Sequence, residues 1–308
     1  MTSRIFGSGI RRREDPRLIT GQASYTDDIT LPGTVHAAIL RSPYAHARIK
    51  KIDTSKATAL PGVLACITGS DMPLNLDRVT DPTKDSTDAE FASDRLMAFE
   101  KVTHKGHPVA AIAAVDLNTA NEAINLIEIE YEPLKPVLTV DEALAPDAPI
   151  IHPGLVGDDL GETVRSTNMA KHLRHEFGDV DAGFSASSLV VEREFELATV
   201  HQGYIEPQNA TAIWQTDGQL TIWTSTQGAF SVRGSTAGVL KVPESKIKVV
   251  PCEIGGGFGG KLSIYLEPVA ALLSRKTGRP VQVLMDRKNV FEATGPTPGA
   301  KVKVKLGV

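Results

Sequence analysis

Eleven residues, EIGGGFGGKLS from Glu253 to Ser263, separate the strand-like run Lys246–Val250 from a helix expected over Glu267–Lys276. Five of the six positions from Gly255 to Gly260 are glycine, and Phe258 interrupts them. Successive glycines remove Cβ atoms, so main-chain N–H groups can close on a ligand that bulkier residues would hold away. A plain strand-to-helix turn needs fewer glycines and no phenylalanine. The loop therefore constrains the chain to a mixed α and β fold with a close-approach site at a strand end.

Two phosphate-binding patterns overlap here. Gly255, Gly257 and Gly260 fit the dinucleotide fingerprint, with a strand before, a helix and strand after, and Asp286 beyond. Pro251 to Ile254 stand between strand and glycines, however, whereas that fingerprint turns at once from strand to helix. A nicotinamide or flavin dinucleotide domain is the weaker reading. Gly255 to Lys261 also give a nucleoside-triphosphate spacing, but Leu262 takes the place of the magnesium-binding hydroxyl and Ser263 comes one residue late. The third reading is backbone approach to a bulky anionic or oxo centre, one face covered by Phe258.

Along the chain, strands are predicted over Thr34–Leu40, Val63–Thr68, Val109–Val115 and Ile127–Tyr131. Short helices are predicted over Thr54–Leu60 and from an Asn118 cap to Asn125. This mixed region closes near Pro136. Residues 140–175 are rich in Pro, Gly and acid and read as a connector. Strands then dominate, at Leu189–Glu196, Asn209–Gln215, Leu220–Thr224 and Val281–Met285, with a helix at Ala229–Leu240. The final AKVKVKLGV alternates as a half-exposed strand. With no later strand to pair it, the fold is expected to be completed by further sequence or a second polypeptide.

A net charge of −4, with dispersed basic residues, gives no case for nucleic acid or an anionic membrane surface. Apolar runs fall short of a membrane span, and the first residues lack a signal-peptide core, so a cytoplasmic location is expected. Cys66 and Cys252 are too few for a disulfide framework or a cluster site. His104/His107 and His172/His175 have metal-pair spacing but no clear third ligand, and read as structural or surface histidines. Glu206 reads as a carboxylate bonded to nearby backbone, and Glu267 as serving a helix N-terminus.

Several ordered blocks resemble one family. Arg17–Gly21 through Tyr25–Ile29 resemble the opening of molybdenum hydroxylase large subunits, and RSPYAHARIKKIDTSKATALPGV (Arg41–Val63) and KGHPVAAIAA (Lys105–Ala114) are similar to their small N-terminal hammerhead domain. HQGYIEPQNATA (His201–Ala212), TSTQGAF (Thr224–Phe230) and IGGGFGGK (Ile254–Lys261) are similar to that family's molybdopterin-proximal segments. The family includes xanthine dehydrogenase, aldehyde oxidoreductase and carbon monoxide dehydrogenase.

The resemblance implies an α+β fold: an α/β hammerhead domain over 1–139, a connector over 140–175, and the first part of a mixed α/β molybdopterin-binding domain over 176–308. It places Gly256, Gly257, Phe258, Gly259 and Gly260 against the cofactor, Gln227 near the pterin, and Gln202 near an active-site glutamine position. The implied cofactor is molybdenum on molybdopterin in its cytosine dinucleotide form, held by the pterin's sulfurs, so no protein metal ligand is required. Partner subunits are implied to carry [2Fe-2S] clusters and FAD. The implied chemistry is hydroxylation, with water, of an aldehyde, N-heterocycle or related small carbon centre. The family's general-base glutamate belongs to a part not matched here, so no catalytic residue is assigned and this chain alone is expected to be inactive. Leu262 stands where purine-oxidising relatives carry a substrate-binding glutamate, which argues against xanthine. The competing reading is a non-catalytic binding or assembly module of the same fold.

Overall fold

The computed structural model describes residues 6–74, 88–295 and 297–308. Its centre is a seven-stranded mixed sheet. From the first half of the chain come β1 (Val35–Arg41), β3 (Val63–Thr68) and β5 (Pro108–Ala114); β2 (Ala47–Asp53), β4 (Lys101–Val102) and β6 (Glu128–Pro133) form a separate three-stranded sheet. Three short strands follow within 157–172, β7 (Gly157–Asp159), β8 (Glu162–Val164) and β9 (Lys171–His172), in a small sheet of their own. The second half supplies β10 (Val190–Leu197), β11 (Asn209–Trp214), β12 (Leu220–Thr224), β13 (Ile247–Pro251), β14 (Val281–Leu284) and β15 (Ala300–Gly307). The large sheet runs β13-β12-β11-β14-β1-β5-β3, so both halves share it, joined where β1 runs parallel to β14.

Strand β5 shows why the sheet is a core element. Every residue of PVAAIAA is buried, and its neighbours β1 and β3 pair with it antiparallel. A continuous apolar run of this kind is buried on both faces, here by helices. The helix Leu117–Ile124 packs on β1 and β5, and the helix Glu267–Thr277 packs on β11, β14 and β3. The latter is buried from Glu267 through Ser274, opens with Pro268 in its first turn and ends at Gly278 in a left-handed conformation.

The structure adjusts some expectations from sequence. The cap of the helix Leu117–Ile124 is Asp116, whose carboxylate accepts from the Thr119 N–H at 2.8 Å, rather than Asn118. The final strand has its partner inside the chain: β15 pairs antiparallel with β10 along its whole length, from Val190↔Gly307 to Leu197↔Ala300. Helices at Asp88–Leu96, Val180–Ala186 and Arg287–Ala293 and the strand β2 had not been assigned from sequence. In β2 a register shift between Ile49 and Lys51 breaks the alternation that would have revealed it.

Candidate functional site

Three segments meet at one end of the large sheet because of strand direction. β12 and β13 are parallel, so Ser225–Gln227 and the glycine loop leave the same end. β11 runs antiparallel to β12, so the residues leading into it, 201–208, arrive there too. β14, antiparallel to β11, delivers Arg287 to that end, where its guanidinium donates to the carbonyls of Tyr204 (2.8 Å) and Ile205. A crevice beyond the strand ends is where α/β sheets place ligands.

The glycines are required by space as well as by backbone. A Cβ at Gly257 would lie 2.6 Å from Gln227 Oε1, and one at Gly260 would lie 2.6 Å from Tyr204 Cε1 and 3.2 Å from Gln202 Oε1. Gly256 and Gly259 have φ of +96° and +90°. Phe258 also sits in the left-handed region, φ 51°, which costs a phenylalanine about 1 kcal/mol. Its ring is 74% exposed, so packing within this chain does not offset that strain. Strain held at an exposed aromatic on a glycine loop is a mark of a binding site.

Beneath the loop lies a buried polar network that sequence reasoning missed. The Lys261 side chain is wholly buried; its ammonium donates to Glu206 Oε2 and to Ser225 Oγ, both at 2.8 Å, and lies 5.0 Å from the Tyr204 ring centre. Glu206 Oε2 also accepts from the Gly255 N–H (2.7 Å) and Ser225 Oγ (2.5 Å), and Asn209 reaches its other oxygen. The expected bond from Glu206 to nearby backbone is there, but the dominant partner is a lysine. The signal lay in the sequence: a lysine inside a glycine loop and a glutamate in an apolar segment each needed a partner. Glu267 behaves as expected, accepting from the Tyr265 and Leu266 N–H groups ahead of its helix.

Gln227 is the strut of the loop. Its Oε1 accepts from the N–H groups of Gly259 (3.0 Å) and Lys261 (3.2 Å), and its own N–H donates to the Lys261 carbonyl at 3.0 Å. Gln202 differs: its Oε1 is buried beside Gly260 without a hydrogen-bond partner. Among the described residues, nothing accepts from the N–H groups of Gly256, Gly257 or Phe258. The site therefore presents three free main-chain donors, an orphaned amide oxygen and an uncovered aromatic ring. That donor set fits a bulky group bearing both oxo or anionic acceptors and hydrogen-bond donors, as a molybdopterin centre does.

Burial pushes the Glu206 carboxyl up, but hydrogen bonds from Lys261, Ser225 and the Gly255 N–H outweigh it and hold the group below its ordinary value of 4.5. Burial pulls the Lys261 ammonium below its ordinary value, against the opposing pull of the Glu206 carboxylate. A depressed carboxyl stabilises the fold above its unfolded value, and that contribution is lost as pH falls through the folded one. Thermal unfolding followed from pH 7 to pH 3 should show an acid-side loss beginning below about 4.5. In Glu206→Gln that component should be missing; an unchanged profile would remove Glu206 from the account.

Of the two histidine pairs, His104 and His107 are committed to structure. His107 accepts from the Thr103 N–H at 3.2 Å and donates to the Asp94 carbonyl at 2.7 Å, and it stacks on His104 at 4.5 Å. Burial lowers His104 to about 3 and His107 to about 4, so both are neutral at physiological pH. His172 pairs with Asp159 at the surface, 2.7 Å away. Among the described residues no three His, Cys, Asp or Glu side chains are placed to hold a metal, and no helix is long and apolar enough to cross a membrane. Both cysteines are free, and burial raises Cys66 to about 11.

Comparison with known proteins decides the family. A model of the aldehyde oxidase and xanthine dehydrogenase a/b hammerhead domain matches residues 20–135, and one of the molybdopterin cofactor-binding domain matches residues 162–308. The chain belongs to the molybdenum hydroxylase family. The carbon monoxide dehydrogenase large chain of Afipia carboxidovorans is 36% identical over 94% of this chain, which spans 36% of that relative. The nicotinate dehydrogenase large molybdopterin subunit of Eubacterium barkeri is 34% identical over 92% of this chain, which spans 62% of it. Among solved structures, quinoline 2-oxidoreductase from Pseudomonas putida 86 superposes with a TM-score of 0.78 at 31% identity, over 98% of this chain and 37% of its own. The hammerhead and molybdopterin-binding architecture expected from sequence is thus the observed one. In this chain the two matched regions contribute to one sheet, and the crevice at its end lies within the region matched to the molybdopterin cofactor-binding domain.

Proposed function

We propose that this molybdenum hydroxylase chain holds one wall of a molybdopterin site in an oxidoreductase that hydroxylates a small carbon centre, with water as the oxygen source. The carrying observation is the strained loop with three free N–H groups beside the orphaned Gln202 oxygen. Gly256, Gly257, Phe258, Gly259 and Gly260 would line the cofactor, with Gln227 fixing their path and Gln202 meeting a donor. When bound, the molybdopterin centre would supply two-electron redox chemistry at the carbon. The residues of this chain bind and orient: main-chain donors meet acceptor oxygens, and the Phe258 ring shields one face from water.

The substrate class is an aldehyde, an N-heterocycle or a related small carbon centre. Relatives named for nicotinate and quinoline support the heterocyclic branch, and one named for carbon monoxide keeps the wider class open. The pterin is assigned the cytosine dinucleotide form, with [2Fe-2S] clusters and FAD on partner subunits of a cytoplasmic complex. The division at 139 and 175 belongs to this reading. Metal analysis of the native complex tests it: molybdenum and iron are expected, and a complex devoid of both would overturn it. The dinucleotide alternative predicts saturable NAD or FAD binding to the isolated chain, and a flat titration removes it.

A further inference from the structure

The turn that carries Gln202 is laced to one downstream segment, 287–297. Val200 and Thr297 exchange main-chain hydrogen bonds of 3.2 and 2.8 Å at one end of the turn. At the other end the Arg287 guanidinium donates to the carbonyls of Tyr204 and Ile205. His201 stands between these two fastenings and grips both sides. Its Nδ1 accepts from the Gly203 N–H at 3.0 Å, and its Nε2 lies 2.7 Å from Thr294 Oγ1. Gln202 is the residue enclosed by that grip.

The proton positions follow from the partners. An Nδ1 that accepts leaves the hydrogen of the neutral ring on Nε2, which donates to Thr294 Oγ1. The Thr294 hydroxyl spends its own hydrogen on the Val290 carbonyl at 2.7 Å, so its oxygen is left to accept. Burial holds the imidazole below its ordinary value of 6.5; the Val290 carbonyl opposes that pull and the Arg287 charge adds to it. The ring is packed as well, edge-on to Phe291 with centroids 5.0 Å apart and 5.5 Å from Tyr204. Both nitrogens are engaged within the chain, which leaves His201 no atom for a ligand. It is built as a strut. What it holds is the peptide plane between Gln202 and Gly203, where the chain turns through a left-handed φ of 63°. That plane sets the direction in which the Gln202 side chain leaves the backbone, and so the place of its orphaned oxygen beside Gly260.

We propose that His201, with its hydrogen on Nε2, is the positioning residue for Gln202: it ties the Gln202–Gly203 turn to Thr294 and so fixes where the Gln202 amide meets the cofactor. This rests on the functional reading above and adds to it a residue that touches neither cofactor nor substrate.

The test uses the native complex and needs no substrate. His201→Gln keeps a donor for Thr294 but removes the acceptor for Gly203, whereas His201→Asn places Oδ1 where Nδ1 stands and keeps that acceptor. Each complex is reduced with dithionite, and its molybdenum(V) resonance is recorded by electron paramagnetic resonance beside that of Gln202→Ala. His201→Gln should shift the g values as Gln202→Ala does, the two together should shift them no further, and His201→Asn should leave them near those of the unmodified complex. Hydrogen exchange at the Gly203 amide should quicken about tenfold in His201→Gln and stay slow in His201→Asn. An unshifted resonance or unchanged Gly203 exchange in a molybdenum-replete His201→Gln complex would overturn the proposal, and so would equal shifts in the two His201 variants. An unmodified complex without molybdenum would instead sink the functional reading itself, and this inference with it.

Discussion

Lys261→Met is expected to be the most damaging single substitution at the site. The ammonium it removes is fully buried and is the partner of Glu206, whose side chain is only 11% exposed. Methionine matches the lysine stem in length, so little packing is lost and the effect isolates the charge. Removing one member of a buried ion pair strands the other and costs about 3–5 kcal/mol. For a chain of this size that corresponds to a fall of roughly 5–10 °C in melting temperature. Lys261→Met with Glu206→Gln should recover much of the loss, because the stranded charge is gone. Calorimetry on the three variants checks this; a double variant no better than the single would mean that lysine packing, not charge pairing, holds the loop.

Gly260→Ala is expected to act on the cofactor more than on the fold. Its added methyl would meet Tyr204 Cε1 at 2.6 Å and the Gly257 carbonyl oxygen at 3.1 Å. Tyr204 cannot swing away, because it is 1% exposed and its hydroxyl is engaged by Gln208 and Thr294. The loop must therefore move. Overpacking of this kind costs about 1–3 kcal/mol in stability. It also displaces the free N–H groups, and losing one well-placed donor lowers affinity by about tenfold. Molybdenum content of the purified complex should fall accordingly. Gly259→Ala is the control for strain without crowding, since a Cβ there meets nothing within 4 Å although φ is +90°. It should cost about 1 kcal/mol and retain more metal. Equal metal content in Gly260→Ala and the unmodified chain would argue that the loop does not touch the cofactor.

Regular elements were legible in the sequence where the pattern was strong and local. The helix Ala229–Leu240 and strands β3 and β12 fall where periodicity puts them, and Pro268 and Gly278 bracket their helix as their chemistry requires. Elements whose pattern is set by distant neighbours were not legible. The bulge in β2 answers to its pairing with β6, and the helix Arg287–Ala293 is fixed by an Asp286 cap inside a polar stretch. The site divides in the same way. The glycine loop announced itself by composition, but the Glu206–Lys261 pair joins residues far apart in sequence, and only the fold brings them to 2.8 Å. Leu262 and Pro251–Ile254 already told, in the sequence, against the two phosphate-binding patterns, because neither supplies what those chemistries need.

The parallel pairing of β1 with β14 sets the order in which this protein can be made. Val35 donates to the Pro280 carbonyl and pairs with Val281, so the middle of the large sheet closes only after residues 281–284 have left the ribosome. Until then β1 exposes one edge, and the β11–β12–β13 set, synthesised between the two, must wait for β14 to bridge it to the rest. Loop closure over such a separation carries a modest entropic penalty but makes folding slow and late. The nascent chain therefore passes through a long interval with open sheet edges, during which chaperone protection would matter more than final stability.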